Sequence, residues 1–99
     1  MASTSALFQP IKVGTAQLEH RVVLAPLTRF RSDENHVPTA LQEEYYRQRT
    51  TKGGLLISEA TFISPTAGGY PGAPGIYSTE QVMGISVFCH QCWLMHTVI

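Results

Sequence analysis

Two short apolar runs, one helix length apart, constrain this chain more than any other feature. Arg21-Val22-Val23-Leu24 is rich in β-branched residues and is halted by Ala25-Pro26, because proline has no N–H to offer a strand neighbour. Gly54-Leu55-Leu56-Ile57-Ser58 repeats the pattern. Their continuous rather than alternating apolarity predicts two parallel strands buried on both faces. A helix between them makes a βαβ unit with a right-handed crossover. Each run ends in polar groups: Thr28 and Arg29 follow Pro26, and Glu59 follows Ser58. Strand ends of this kind, in stiff turns carrying polar groups, are where α/β folds present a ligand site.

The intervening helix is signalled by Pro38 and by Thr39 with Gln42 three residues on, the spacing of a capping box. Leu41 and Tyr45 fall on one face with Tyr46 beside them, as core and rim packing. Glu43 and Arg47 stand at the i, i+4 spacing of an ion pair. Lys52 and Gly53 mark the expected end. Upstream, Leu7-Phe8-Gln9-Pro10 reads as an anchoring arm. Ile11–Val13 and Gln17–Glu19 flank Gly14-Thr15-Ala16 as a short hairpin. Phe30 to Val37 is polar and aperiodic, a loop. Phe62 to Tyr77 is a longer loop dense in Gly and Pro, and Ser78-Thr79-Glu80-Gln81 opens a second helix. The order is hairpin, β, α, β, α.

With 99 residues the chain holds at most one small domain. Its formal net charge is zero, so it lacks the electrostatic footprint of a nucleic-acid or anionic-membrane binder. Met1 to Ala6 carry neither the basic and apolar regions of a secretory signal nor the arginines of a mitochondrial presequence, which predicts a cytoplasmic protein. All fourteen charged side chains lie between Lys12 and Glu80, and none from Val82 to Ile99. Surface elements ordinarily carry charge on their wet face, so the composition predicts a seam near residue 82.

Three features invite chemistry and are weighed on their spacing. The Gly/Pro loop lacks the Gly-x-Gly-x-x-Gly order and the following Lys-Ser/Thr pair of a phosphate cradle, and reads instead as a stiff lid. Glu59 reads either as a general base or as a buried carboxylate paired with Arg21 or Arg29, the second being the simpler. Cys89-His90-Gln91-Cys92 with His96 lacks the ligand geometry of a zinc site and the strand–helix setting of a redox pair, which leaves free thiols and no metal.

Several motifs in register resemble the old yellow enzymes. They include Leu7-Phe8-Gln9-Pro10-Ile11-Lys12-Val13-Gly14, His20 to Arg29, Tyr45-Tyr46-Arg47-Gln48-Arg49 and Ile57-Ser58-Glu59-Ala60. Phe62-Ile63-Ser64-Pro65, Ala67-Gly68-Gly69-Tyr70, Ala73-Pro74-Gly75-Ile76-Tyr77 and Glu80-Gln81 continue the likeness. The resemblance implies FMN-dependent oxidoreductases on a TIM (β/α)8 barrel, of which this chain would supply the hairpin and the first two βα units. It implies hydride transfer from NAD(P)H through FMN to the C=C of an α,β-unsaturated carbonyl, so that the partners are FMN and a small enone. By position it places the backbone of Pro26 and Leu27 along the flavin, the Thr28 hydroxyl at its O4/N5 edge, and the backbone N–H of small Ala60 against the ring.

After Gln81 the likeness stops. Residues 1–81 read as the first part of the family barrel and 82–99 as a foreign tail, as a retained intron or frameshift would produce. The tail lacks the family's third strand with its flavin-contacting glutamine. The His/Asn pair for the substrate carbonyl, the proton-donating tyrosine and the basic residues for the flavin N1 edge and phosphate have no counterpart here. The expectation is a chain inactive alone. The rival expectation is a non-catalytic fragment or interaction partner of full-length relatives.

Overall fold

Parallel pairing of the two apolar runs organises the fold, a computed structural model that describes residues 5–94 and 97–99. A hairpin comes first: β1 (Ile11–Val13) and β2 (Ala16–Leu18) are antiparallel, with Ile11 opposite Leu18. Gly14 opens its two-residue turn at φ 58°. β3 (Val23–Leu24) then pairs in parallel with β4 (Leu55–Leu56), Val23 beside Leu55 and Leu24 beside Leu56. α1 (Ala40–Arg49) connects them, and α2 (Thr79–Leu94) follows β4. On the other side of β4, Val98 bridges Leu55 in parallel, and Leu56 N–H donates to the Val98 carbonyl at 2.8 Å. β4 is thus the middle of three rows, where the sequence predicts two.

The strand faces correct the expectation of full burial. Val22 is 49% and Val23 40% exposed, because no described element covers the outer side of β3. Arg21 turns away from the sheet and ties the N-terminal arm, donating to the carbonyls of Gln9 and Pro10 at 3.2 Å each. The apolar pair of that arm, Leu7 and Phe8, remains exposed.

α1 keeps its predicted start and changes its predicted face. Gln42 Oε1 accepts the Thr39 N–H at 2.9 Å, and the Thr39 hydroxyl donates to the Arg31 carbonyl at 2.7 Å. The buried positions are Gln42 and Tyr46, while Leu41 is exposed and Tyr45 half-buried. Leu41 points outward because the helix is rotated to bring Gln42 and Tyr46, also four residues apart, under the strand ends. The expected Glu43–Arg47 pair is replaced by Glu44–Arg47 at i, i+3, a two-pronged contact of 2.6 and 2.9 Å. The helix ends at Arg49 with Thr50 as its cap, three residues short of the Lys52-Gly53 expectation.

α2 opens as predicted: Ser78 Oγ accepts from Gln81 N–H at 3.3 Å, and Gln81 Oε1 accepts from Ser78 N–H at 3.0 Å. It runs without interruption through Val82 into the charge-free stretch. Its inner face delivers Phe88 and Cys92 to a core shared with Tyr46 of α1 and Leu56 of β4. The Tyr46 and Phe88 rings stack with centroids 4.6 Å apart. Two residues of the charge-free segment therefore make half of the buried apolar cluster.

A polar junction beneath two strand-end loops

The loops that follow β3 and β4 leave the sheet on the same side, as parallel strands require. Residues 26–29 form the first and residues 59–60 the second. One buried carboxylate joins them. Glu59 Oε2 accepts the main-chain N–H of Arg29 at 3.2 Å, and its Oε1 accepts from Gln42 Nε2 at 3.1 Å and from the Tyr46 hydroxyl at 3.2 Å. The Tyr46 oxygen in turn accepts the Glu59 N–H at 2.9 Å. Gln42, Tyr46 and Glu59 are 0%, 1% and 3% exposed. Buried polar groups are costly unless satisfied. Among the described residues no buried side-chain polar atom lacks a partner.

The expected ion pair of Glu59 is therefore replaced by hydrogen bonds from two side chains and a main-chain amide. The Arg29 guanidinium lies over the Tyr45 ring, 5.3 Å from its centroid, and Arg49 lies over the same ring at 3.9 Å. Arg31 donates to the carbonyls of Arg29 and Phe30 at 3.3 Å each, folding back on the loop it belongs to. Burial pushes the Tyr46 phenol well above its ordinary range, with the neighbouring Glu59 charge acting in the same direction. Tyr46 is thus a neutral O–H donor to the carboxylate.

The four residues singled out for flavin contact stand as follows. Pro26, Leu27 and Ala60 are exposed beyond the strand ends. Thr28 is half-buried, and its hydroxyl makes no hydrogen bond among the described residues. Arg29, next to Thr28, and Glu59, next to Ala60, are the two residues that the junction bonds together. Exposed small and apolar backbone beside an uncommitted hydroxyl suits the edge of a planar heterocycle.

The Gly/Pro loop is held against the polar loop of residues 30–37 rather than free. Ser32 N–H donates to Gly72 O at 2.8 Å, Gly75 N–H to His36 O at 2.8 Å, and the His36 ring meets the Ala73 carbonyl at 2.8 Å. Gly72 sits at φ 84°, and a Cβ there would come within 3.0 Å of the Phe30 backbone, so only glycine permits this approach. Phe30 itself holds φ 56°, an uncommon conformation for a non-glycine residue. Between residues 32–36 and 65–72 lies a cavity of about 610 Å³ whose walls include Asp33, His36 and Tyr70.

Cys89 and Cys92 are both free thiols. Burial raises both, Cys92 to about 11 with Cys89 adding to the shift, so neither is poised as a nucleophile or thiolate ligand. No group of three metal-ligating side chains occurs among the described residues, where His96 is not included. No described helix is long and apolar enough to cross a membrane.

Sequence reasoning missed Gln42 as part of the site. Its spacing from Thr39 is visible and accounts for one end of its amide; the other end reaches Glu59, seventeen residues on. The signal available was a Gln and a Tyr four residues apart on a helix preceding a strand that ends in Glu.

A sequence profile of the NADH:flavin oxidoreductase / NADH oxidase family matches residues 6–91. The chain is 58% identical over 79 residues to the NADP-dependent oxidoreductase lnbE of Aspergillus flavus, covering 79% of this chain and 21% of that protein. It is 58% identical over 81 residues to 12-oxophytodienoate reductase 1 of Oryza sativa subsp. japonica, covering 82% and 21%. Among solved structures, Old Yellow Enzyme from Pichia sp. AKU4542 superposes with a TM-score of 0.88 at 41% identity, covering 93% of this chain and 24% of that one. The chain thus spans about a fifth of the length of the curated relatives it matches.

Proposed function

The chain belongs to the NADH:flavin oxidoreductase / NADH oxidase family, with the fold of part of a TIM barrel, and from that premise we propose that its strand-end loops form one rim of an FMN site. The family is flavin-dependent and uses NAD(P)H. FMN held at this rim would supply hydride transfer between NAD(P)H and the C=C of an α,β-unsaturated carbonyl. The chain's own residues would orient the ring: the Thr28 hydroxyl would donate to its O4/N5 edge, Pro26 and Leu27 would line it with backbone, and the Ala60 N–H would approach it where a larger side chain would collide.

The observation that carries this reading is the uncommitted Thr28 hydroxyl, on a loop that the Arg29–Glu59 bond ties to the loop carrying exposed Ala60. Titration of the purified chain with FMN, followed by the visible spectrum and flavin fluorescence, tests it. Binding by the parent chain, abolished in Ala60→Leu and weakened in Thr28→Val, is the expected result. Equal binding by all three would overturn the assignment of the rim.

A second reading concerns the chain acting alone. Arg29 lies over Tyr45 and Arg31 bonds two main-chain carbonyls, contacts within the chain on which we favour a non-catalytic role beside the rest of a family barrel. On that reading residues 1–81 are the barrel part and 82–99 a segment of other origin. Sequencing the transcript across the Gln81 codon tests the second point, and a continuous message encoding the tail would count against it. Oxidation of NADPH by the chain with added FMN and an enone would overturn the non-catalytic reading.

A further inference from the structure

We propose that Glu59 is a positioning residue that fixes the two flavin-rim loops in one geometry, a role that rests on the FMN reading above. Three donors converge on its carboxylate, from the first loop (Arg29 N–H) and from α1 (Gln42 Nε2 and Tyr46 OH). A carboxylate accepts through both oxygens and donates nothing, which is what this convergence demands. Thr28 precedes the Arg29 amide, and Ala60 follows Glu59 directly. The bond from Arg29 N–H to Glu59 Oε2 therefore sets the spacing of the proposed hydroxyl donor from the proposed backbone donor.

Gln42 makes the arrangement one-directional. Its Oε1 is held by the Thr39 N–H at 2.9 Å and the Ser32 hydroxyl at 3.1 Å, so its Nε2 must face Glu59. A glutamine at position 59 has one acceptor oxygen instead of two. Turned toward Gln42 and Tyr46 it keeps two bonds; turned toward Arg29 it keeps one and sets two amide NH2 groups against each other. The first orientation prevails, and the Arg29 amide loses its partner. Exchanging the pair, Gln42→Glu with Glu59→Gln, restores the bond to the Arg29 amide, although it sets an NH2 group where Oε1 had accepted from the Tyr46 hydroxyl. The carboxylate, now on α1, accepts from Thr39 and Ser32 and from the new amide, whose oxygen returns to Arg29.

The test measures amide hydrogen exchange on the full chain without flavin, then FMN affinity. Glu59→Gln is expected to speed exchange at Arg29 about tenfold while Leu56 stays protected, and the double exchange variant is expected to restore it. Unchanged exchange at Arg29, or loss of protection at Arg29 and Leu56 in step, would overturn the proposal. Should Glu59→Gln fail to fold, Glu59→Asp withdraws both oxygens by one methylene and must speed Arg29 exchange; no change there would overturn it equally. Where the parent binds FMN, Glu59→Gln must weaken that binding and the double variant recover it, and undiminished affinity in Glu59→Gln would also overturn the proposal. A parent that takes no FMN sinks the flavin reading instead, and exchange at Arg29 still decides for or against the coupling of the loops.

Discussion

The buried interior has two neighbouring parts of opposite character that share one side chain. The polar junction of Gln42, Glu59 and the Arg29 amide draws on residues 29 to 59, inside the charged stretch from Lys12 to Glu80. The apolar cluster beside it takes Phe88 and Cys92 from the charge-free stretch. Tyr46 belongs to both, its hydroxyl in the junction and its ring on Phe88. The junction fixes geometry through directed bonds, and the cluster supplies the burial that keeps water from competing for them. A seam in composition is therefore not a seam in packing. The rim that would meet a flavin leans on residues with no part in its chemistry.

Phe88→Ala probes that dependence with the largest effect. It removes the stacked partner of Tyr46 and leaves a void in a small core, at a cost of about 3–5 kcal/mol. That is comparable to the whole stability of many domains this size. Circular dichroism with urea unfolding should show loss of the cooperative transition, and a transition close to that of the parent would break the claim that the two parts are coupled through Tyr46.

Next come changes within the junction. Tyr46→Phe keeps the ring and its stack but strips the Glu59 N–H of its acceptor and Oε1 of one donor. Gln42→Ala leaves the Thr39 N–H, the Ser32 hydroxyl and Glu59 each short of a partner. Each should cost about 1–3 kcal/mol in urea unfolding. If the double variant costs clearly less than the sum, the junction acts as one network; strict additivity would argue that the bonds are independent.

A smaller effect belongs to the apolar side and is read by pH. Folded Cys92 holds its proton to about pH 11, against 9.0 for its ordinary value, because burial disfavours the thiolate. Between those values the folded chain binds a proton that the unfolded chain has released. The Cys92 contribution to stability is therefore level below pH 9 and falls as pH rises toward 11. Tyr46, raised in the same direction, adds to the fall above pH 10. Cys92→Ala should flatten the first part of this decline in unfolding curves taken at pH 8 and 9.5, and an equal decline in the variant would place its origin elsewhere.

The sequence makes legible what is local and periodic. Both strands, their stop at Pro26, the capping residues Thr39 and Ser78, and the hairpin at Gly14 all follow from neighbours in the chain. Which way α1 faces does not. Leu41 and Tyr45 are the more apolar pair, yet the buried face carries Gln42 and Tyr46, because Glu59 lies beneath it and requires donors. Periodicity counts apolar side chains and has no means of seeing a carboxylate seventeen residues away. The same blindness hides Val98 beside β4, where a single residue past α2 completes a row that composition assigned to a tail.

Leu41 and Gln42 turn this difference into the smallest and most discriminating prediction. Leu41 is 63% exposed at the first turn of α1, so Leu41→Ala removes little burial and substitutes a better helix former. Its expected effect is within about 0.5 kcal/mol of zero. The polar neighbour, cut back to the same alanine, is expected to cost several times more. Hydrophobic patterning alone predicts the opposite order, since it buries Leu41 and exposes Gln42. Urea midpoints for the two variants side by side decide between them, and a greater loss from Leu41→Ala would mean that the helix turns its apolar face inward and that the junction beneath the two loops does not form as described.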